Sequence, residues 1–344
     1  MLELPRTLRV LAIGTIAGFG TAFFGLPLPW LIGSLVITAA LSLSGLNVST
    51  PPLIRQSGQL IAAIAIGLGF SSQVMAMLSD YVYLIIFSAL ASVALGIVAA
   101  WLVSKMSEIP FETAYFSSMP GGVAEMSVLA QRFGGDSALV ATAQSIRIII
   151  VVLSIPIVLD VIMAADIVGN PSDPTTFKPW LKVVPLLILG GGLGLALSKM
   201  GVMNAFFLAG LAVGATVAIA ELSSGVIPAQ AVNAAQVLIG CALGGRIDPR
   251  LLTQLRAFLP ITTACTLALI LFNAAIAVVL HYQSDLPVSV LLLATAPGGV
   301  AEMSITAKAF MLAAPLVTAF HLTRIILIVV FSAPLYRACA RVLS

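Results

Sequence analysis

The chain has 344 residues, of which 60% are apolar and only 8% are charged, and its mean hydropathy is +1.15. A soluble domain cannot build its surface from such a composition, so we predict an integral membrane protein. The formal net charge of +3 is spread along the chain without a basic arm or stripe, which excludes direct binding of nucleic acid as an expected function.

Twelve apolar segments follow one another, six in each half of the chain. They cover residues 8–24, 29–45, 53–70, 81–104, 112–133 and 137–163, and then 180–198, 203–220, 230–246, 257–281, 287–309 and 313–336. Runs of this length can cross a bilayer as helices, whereas the strands of a membrane β-barrel would alternate over about 10 residues. We therefore predict an all-α integral membrane protein, with its first segment retained as a helix rather than removed as a signal peptide.

A 33-residue stretch occurs twice, 177 residues apart. The run Pro-Gly-Gly-Val-Ala-Glu-Met-Ser fills 120–127 and is repeated letter for letter at 297–304. The same offset pairs Gly33 with Gly210 and Gln59 with Gln236, so we call residues 177 positions apart counterparts. The duplication predicts a first membrane repeat over 1–163, a linker over 164–179 and a second membrane repeat over 180–344.

A Pro-Gly-Gly triplet stands in the middle of each fifth segment. Proline removes a helical hydrogen bond and two glycines permit a sharp reversal, so 112–133 and 287–309 are predicted to be re-entrant or broken helices. An ordinary interhelical loop in a protein with twelve crossings is the alternative.

The distribution of positive charge favours the first interpretation. If all twelve segments crossed the membrane, Lys199 and the cluster Arg246, Arg250 and Arg256 would lie outside, against the positive-inside rule. Five crossings per half place them inside and turn the second half upside down. We therefore expect an inverted repeat with about 10 transmembrane helices, the arrangement of many secondary transporters.

Glu125 and Glu302 lie three residues after their glycine pairs, in the first turn of the helix that follows. Two roles fit that position. The carboxylate can cap the helix start, or it can bind a proton or a sodium ion during transport.

Arg147 and Arg324 lie about ten residues inside long apolar helices, where an unpaired guanidinium is costly. One alternative is an ion pair of each arginine with the glutamate of its own copy. The other is bidentate hydrogen bonding of the guanidinium to the carboxylate of a substrate. Gln144 and His321 stand one turn before the arginines and differ between the copies, so His321 either makes the two half-sites respond unequally to pH or is a hydrogen-bonded packing residue.

No metal site or cofactor is predicted, because the three cysteines are scattered and only two histidines occur. The candidate substrate- or ion-binding residues are Pro120, Gly121, Gly122, Glu125, Ser127, Gln144, Arg147, Pro297, Gly298, Gly299, Glu302, Ser304, His321 and Arg324, together with Gln59 and Gln236.

Three motifs resemble the duplicated AbrB-type bacterial membrane proteins. They are the Pro-Gly-Gly triplets preceded by Ser-Ser-Met119 or Ala-Thr-Ala296, the run Pro-Trp-Leu-Ile-Gly33, and the arginine of each sixth segment. Members of that family are labelled regulators of gene expression or ammonia monooxygenases. An oxygenase needs a cluster of metal ligands. His281 and His321 stand in unrelated contexts, so we reject the monooxygenase label. The family is also similar to sodium/proton antiporters and bile-acid symporters, which implies inverted repeats with paired broken helices.

The sequence thus predicts a secondary transporter rather than an enzyme. It would move a small organic anion or other small metabolite, coupled to a proton or cation, as a multi-pass protein of the bacterial inner membrane. It would lie in the lipid bilayer, and its oligomeric state is left open, with a homodimer as one option. The alternative is a non-transporting membrane regulator or sensor that affects gene expression indirectly.

Overall fold

The structure, a computed structural model, describes residues 3–107, 109–164, 183–222, 227–247 and 258–343. These residues form fifteen α-helices and no strand, as predicted. The helices are α1 Glu3–Phe23, α2 Pro29–Leu43, α3 Pro52–Gly67, α4 Ser72–Asp80, α5 Val82–Ser107, α6 Phe111–Ser118, α7 Val123–Arg132, α8 Ser137–Ala164, α9 Val184–Lys199, α10 Ala205–Ile219, α11 Ala229–Gly244, α12 Phe258–Tyr282, α13 Val288–Thr295, α14 Val300–Ala309 and α15 Ala314–Leu343. The predicted linker lies outside the described residues from 165 onward.

Prolines mark many of the helix starts. Pro51, Pro110, Pro228 and Pro287 are the N-cap residues of α3, α6, α11 and α13. Proline suits the start of a helix because its fixed φ is close to the helical value and its missing N–H would have no intrahelical partner there.

Fewer helices have spanning length than the ten predicted. Within the described residues four are long and apolar enough to cross a membrane, namely α5, α8, α12 and α15, or five if α3 and α4 count as one bent span. α3 and α4 meet at 91°, so the predicted segment 53–70 ends early, at Gly67. α2, α9, α10 and α11 have 15 or 16 residues, a rise of about 24 Å at most, which is less than the ~30 Å of a hydrocarbon core.

The chain divides into two compact units that cut across the two sequence repeats. The first unit contains Met1–Ser79, Ser154–Arg246 and Ser304–Pro315, and the second contains Asp80–Leu153, Ile247–Met303 and Leu316–Ser344. Each unit therefore takes segments from both halves.

In the first unit, helices of the two halves pack closely in reciprocal pairs. α3 of the first half lies against α10, and a Cβ at Gly210 or Gly214 would approach the carbonyl oxygens of Leu60 and Ile64, each within 2.7 Å. Residue numbers rise together along the two helices, so α3 and α10 are parallel. Contacts this close need glycine at the crossing.

The reciprocal pair, α2 and α11, repeats this arrangement. A Cβ at Gly240 would lie 2.7 Å from the carbonyl oxygen of Leu31, and one at Gly244 would lie 2.5 Å from that of Leu35. These helices are parallel as well. In contrast, α1 and α2 are antiparallel, since Gly18 lies against Trp30 and Gly33 against Ala17.

α3 and α11 cross at counterpart residues. A Cβ at Gly58 would lie 2.9 Å from the carbonyl oxygen of Ala235. Val48, four residues before α3 begins, touches Gly245 at the carboxyl end of α11. Four residues reach at most about 14 Å, so α3 starts near the carboxyl end of α11 and runs antiparallel to it.

The second unit holds both Pro-Gly-Gly triplets, and it too combines the halves. The Tyr115 hydroxyl on α6 donates a hydrogen bond to the carbonyl of Ser332 on α15, at 3.1 Å. Phe111, Phe116 and Phe133 pack with Tyr336 around that contact. This aromatic core holds the broken helix of one half against the last helix of the other.

Candidate functional site

Both fifth segments are broken helices. Residues 119–122 separate α6 from α7 and are called the first break, and residues 296–299 separate α13 from α14 and are called the second break. The expectation of a broken or re-entrant helix is met as a break, but the second glycine does not act in it as predicted. Gly122 has φ −75° and ψ 146°, values open to any residue, so it is not required for a reversal of the chain.

The first glycine of each triplet makes room for a methionine. A Cβ at Gly121 would lie 2.8 Å from Met126 Cε, and one at Gly298 would lie 2.9 Å from Met303 Cγ. Both methionines are fully buried. A side chain at either glycine would therefore force the methionine out of the core.

The second glycine makes room for the glutamate. A Cβ at Gly122 would collide with the carboxylate of Glu125, and one at Gly299 would collide with that of Glu302. Each carboxylate is thus folded back over the N-cap residue of its own helix, the placement expected of a capping group. That placement also keeps negative charge at the positive end of the helix.

Arg147 binds the carbonyl end of α6. Its Nη1 donates to the carbonyls of Ser118 and Met119, at 3.4 and 3.0 Å, and its Nη2 donates to that of Gly121, at 3.4 Å, and to Gln144 Oε1. The last carbonyls of a helix have no intrahelical partner and carry partial negative charge. The buried guanidinium of Arg147, which is 3% exposed, supplies these carbonyls with both hydrogen-bond donors and a positive charge.

Gln144 completes this arrangement. Its Nε2 donates to the carbonyls of Phe116 and Met119, both at 2.8 Å, while its Oε1 accepts from Arg147. One amide therefore links the arginine to the half-helix that the arginine caps.

The second break repeats four of these six hydrogen bonds at counterpart residues. Arg324 Nη1 donates to the carbonyl of Ala296 and Nη2 to that of Gly298, both at 2.7 Å. Arg324 Nη2 also donates to His321 Nδ1, at 2.8 Å, and His321 Nε2 lies 2.9 Å from the carbonyl of Leu293. Since arginine only donates and a carbonyl only accepts, His321 must be neutral and carry its proton on Nε2.

Arginine therefore bonds to the backbone of the breaks. Within the described residues the hydrogen bonds of both guanidiniums go to main-chain carbonyls and to Gln144 or His321, rather than to the glutamate of the same copy. To bind a substrate carboxylate in a bidentate manner, the Nη atoms would have to give up these hydrogen-bond partners. The Nε atoms of Arg147 and Arg324 are buried, and they have no hydrogen-bond partner among the described residues.

The two breaks lie near each other in the second unit. Arg324 Nη2 donates to the carbonyl of Gly298, at 2.7 Å. Val151 of α8, one turn beyond Arg147, lies against Gly298 of the second break. Two fixed positive charges near one another favour a negative ligand.

The breaks differ in their exposure. Glu302 is 0% exposed and Ser304 is buried, whereas Glu125 and Ser127 are half-buried. Ser127 donates its hydroxyl to the carbonyl of Val123, at 2.7 Å, a bond within its own helix.

Gln59 and Gln236 are also buried, but they belong to the first unit, near the crossing of α3 and α11. The structure thus divides the predicted residues between the two units. Their role in binding stays a prediction, as does that of the residues at the breaks.

Sequence reasoning missed a residue beside the second break. Asn273 of α12 is 2% exposed, and its main-chain carbonyl accepts a hydrogen bond from the Thr295 hydroxyl at the end of α13, at 3.0 Å. Its counterpart, Gly96 of α5, lies against Met119 and Pro120. The offset of 177 would have found it, since it is a rare polar residue in an apolar helix whose counterpart is glycine.

With this geometry established, the chain can be compared with known proteins. Residues 30–340 match the family described as Transition state regulatory protein AbrB. The chain belongs to the AbrB family. That match covers both breaks and confirms the resemblance carried by the Pro-Gly-Gly triplets.

Two relatives show how far the likeness extends. The uncharacterized protein YhjN of Bacillus subtilis (strain 168) is 24% identical over 97% of this chain and 93% of its own length. A protein of Escherichia coli (strain K12) named as a regulator, AbrB, is 24% identical over 82% of this chain and 81% of its own length. The AbrB family thus supplies a regulatory label without a chemical activity.

Proposed function

We propose that this AbrB family protein is a secondary transporter, not an enzyme, and that it moves a small organic anion or other small metabolite coupled to a proton or cation. The observation that carries the proposal is the pair of equivalent breaks in one unit, each with a guanidinium and a carboxylate. Broken helices of this kind place backbone groups and helix ends where a solute can bind.

A carrier of this kind must attract the anion and take up the coupling ion, and different charged residues meet these two requirements. Arg147 and Arg324 provide the positive field that attracts an anion, while their hydrogen bonds keep the ends of α6 and α13 in place. Glu125 and Glu302 provide the groups that take up the coupling ion. Ionisable residues inside a membrane protein are rare, and substrate and ion pathways are among the sites that they mark.

An inverted repeat is part of the proposal, and the helix directions of the first unit support it. α3 runs parallel to α10 and antiparallel to its own counterpart α11, while α11 runs parallel to α2. α2 is therefore antiparallel to its counterpart α10. A half-turn that inverts the second half relates such pairs, as in many carriers.

Labelling from either side of the membrane tests this inversion. After replacement of the three native cysteines, a single cysteine is introduced by Asp136→Cys or by Ala313→Cys, at counterpart positions in the turns before α8 and α15. We expect an impermeant thiol reagent to reach them from opposite faces of the bacterial inner membrane. Labelling of both from the same face would contradict the inversion.

Flux measurements test transport itself. Purified protein in liposomes is screened with small carboxylates and amines under an imposed proton or sodium gradient. We expect gradient-driven uptake of at least one solute, abolished by Glu125→Gln or Glu302→Gln in variants that melt within a few degrees of the wild type. Gly192→Ala is the control, since a Cβ there meets nothing within 4 Å.

A non-transporting membrane regulator is the second candidate. It is favoured by the extent of the arginine network, which would also hold the breaks in a fixed arrangement, and by the name of the Escherichia coli relative. Absence of flux for every solute would favour this candidate over the carrier, whereas flux unchanged by both glutamine variants would contradict the coupling role of Glu125 and Glu302.

A further inference from the structure

The first unit contains buried polar side chains that the charged breaks do not involve. Gln59 of α3 and Gln236 of α11 are counterparts, and they are 3% and 4% exposed. Gln59 Nε2 and Gln236 Oε1 are buried, and neither atom has a hydrogen-bond partner among the described residues. Burial of an amide group without a partner is unfavourable, so its occurrence at two equivalent positions indicates a ligand.

The crossing of α3 and α11 brings these two glutamines close together. A Cβ at Gly58 would lie 2.9 Å from the carbonyl oxygen of Ala235, and each glutamine is the next residue along its helix. This contact limits the distance between the Cα atoms of Gln59 and Gln236 to at most about 11 Å. A glutamine side chain extends about 5 Å from its Cα, so the span between the two amides is that of a small molecule.

Both amides lie on the same side of the crossing. α3 and α11 are antiparallel and touch at counterpart residues, so a half-turn about an axis between them relates the two helices locally. Gln59 is rotated from Gly58 by about 100° around its helix, and Gln236 is rotated equally from Ala235. Such a half-turn keeps equivalent residues on one side. We call the side of the crossing that carries Gln59 and Gln236 the amide face.

Two further carboxamides extend this row along the helices. Gln56 and Asn233 are counterparts, each stands three residues before a buried glutamine, and both are half-buried. Residues three apart are neighbours on a helix surface. Because the helices are antiparallel, Gln56 and Asn233 lie at opposite ends of the buried pair. The row therefore has a buried centre and two partly accessible ends.

The composition of the two helices favours a neutral ligand. Arg55 is the one charged residue in the sequences of α3 and α11. It lies next to Gln56, at one end of the row, and it already has a partner. An ion at the central glutamines would be taken out of water without a free opposite charge on either helix, which is strongly unfavourable.

The unpaired atoms define the hydrogen bonds that the ligand must make. Gln59 offers a donor and Gln236 an acceptor, yet they do not bond to each other, so the gap between them is wider than one hydrogen bond. A group that fills this gap must accept from one amide and donate to the other. A primary carboxamide or a urea group does both with adjacent atoms. Rotation of a glutamine amide exchanges its donor and acceptor, so the match holds in either direction.

We propose that the amide face is a binding site for a neutral solute that carries a primary carboxamide or urea group, held by Gln59 and Gln236. The site belongs to the first unit and uses none of the charged residues of the breaks. It does not rest on the proposed function, because a carrier and a membrane sensor both need a bound solute.

Thermal unfolding of the purified protein in detergent tests this site. Melting is compared in equal concentrations of butyramide, N,N-dimethylbutyramide and sodium butyrate, with sodium chloride added to equalise ionic strength. The dimethyl compound keeps the acceptor but loses the donors, and butyrate adds a charge. We expect butyramide to give the highest melting temperature, since a ligand of the folded state stabilises it. Equal melting in butyramide and its dimethyl analogue would mean that the amide face holds water only, and it would overturn the proposal.

Leucine variants separate binding from a structural role. Gln59→Leu and Gln236→Leu keep the approximate volume and remove a buried group without a partner, so without ligand they should melt at or above the wild-type temperature. Each should bind labelled butyramide at least tenfold more weakly in equilibrium dialysis. Gln131→Leu, at an exposed glutamine, is the matched control and should bind as the wild type does. If the two leucine variants melt at a lower temperature and keep the butyramide-specific rise, the glutamines are only structural and the proposal fails.

Discussion

The first and second breaks share four hydrogen bonds at counterpart residues, but the first has two more and the surroundings differ. In both, an arginine and a neighbouring polar side chain hold the carbonyl end of the first half-helix, and a glutamate folds over the N-cap of the next. The second break has shorter arginine bonds, 2.7 Å against 3.0–3.4 Å, and a fully buried glutamate. The first has a half-buried glutamate, with Gly96 and Met119 at the positions of Asn273 and Ala296.

This comparison separates what both sites need from what one site adds. The network of arginine and carbonyls is common, so its role must be common as well, namely to keep a broken helix in place inside an apolar protein. Differences in the side chains around the network can then change the ligand without changing the scaffold. A duplicated site is free to specialise in this way because either copy maintains its own break.

The largest expected effect comes from removal of the arginines. Arg324→Gln leaves the carbonyls of α13 without a cation and with fewer donors, which should destabilise the protein by roughly 3–5 kcal/mol. Arg147→Gln should cost less, since its bonds are longer and Gln144 already serves Met119. Chemical or thermal unfolding in detergent gives both values.

Lysine substitutions sharpen this test. Arg324→Lys keeps the charge but cannot reach two carbonyls and His321 with one planar fork, so most of the loss should remain. If lysine restores full stability at either position, charge alone holds the break and the hydrogen-bond account is wrong.

How much of this was predictable from the sequence depends on what each residue touches. The broken fifth segments followed from Pro-Gly-Gly in an apolar run, and the pairing of the copies followed from the offset of 177. The partners of Arg147 did not, because the sequence shows side chains and not the free main-chain carbonyls that a break creates. A glutamate 22 residues away was the nearest visible partner, and the true one was the backbone.

The role of the glycines was also hidden. Their number suggested conformational freedom, yet Gly122 adopts an ordinary φ and gives space to the carboxylate of Glu125. Such a contact depends on the side-chain path over one helical turn, which no pattern of residue types defines. The short helices α2, α10 and α11 were similarly overestimated, since apolar turns extend the hydropathy of a segment beyond its helix.

The second prediction uses those glycines and has an intermediate effect. Gly299→Ala places a methyl group on the carboxylate of Glu302, which is enclosed on all sides, so we expect a loss of about 1–3 kcal/mol. Gly122→Ala should cost less, because the half-buried carboxylate of Glu125 can turn toward the exposed side. Unfolding measurements with Gly192→Ala as the control give the difference, and equal losses at the two glycines would contradict the unequal enclosure of the glutamates.

The smallest effect is expected when the two linking side chains are exchanged. His321→Gln puts the residue of the first break into the second, where its amide can accept from Arg324 and donate to the carbonyl of Leu293 as Gln144 does for Arg147 and Phe116. We expect a change of no more than about 1 kcal/mol in the free energy of unfolding, since each bond is replaced in kind. His321→Leu is the matched variant, and it should cost about 2–3 kcal/mol because a buried carbonyl and an arginine N–H lose their partner together. If glutamine is as damaging as leucine, the imidazole serves a purpose that the shared network does not explain, and the equivalence of the two breaks ends at this residue.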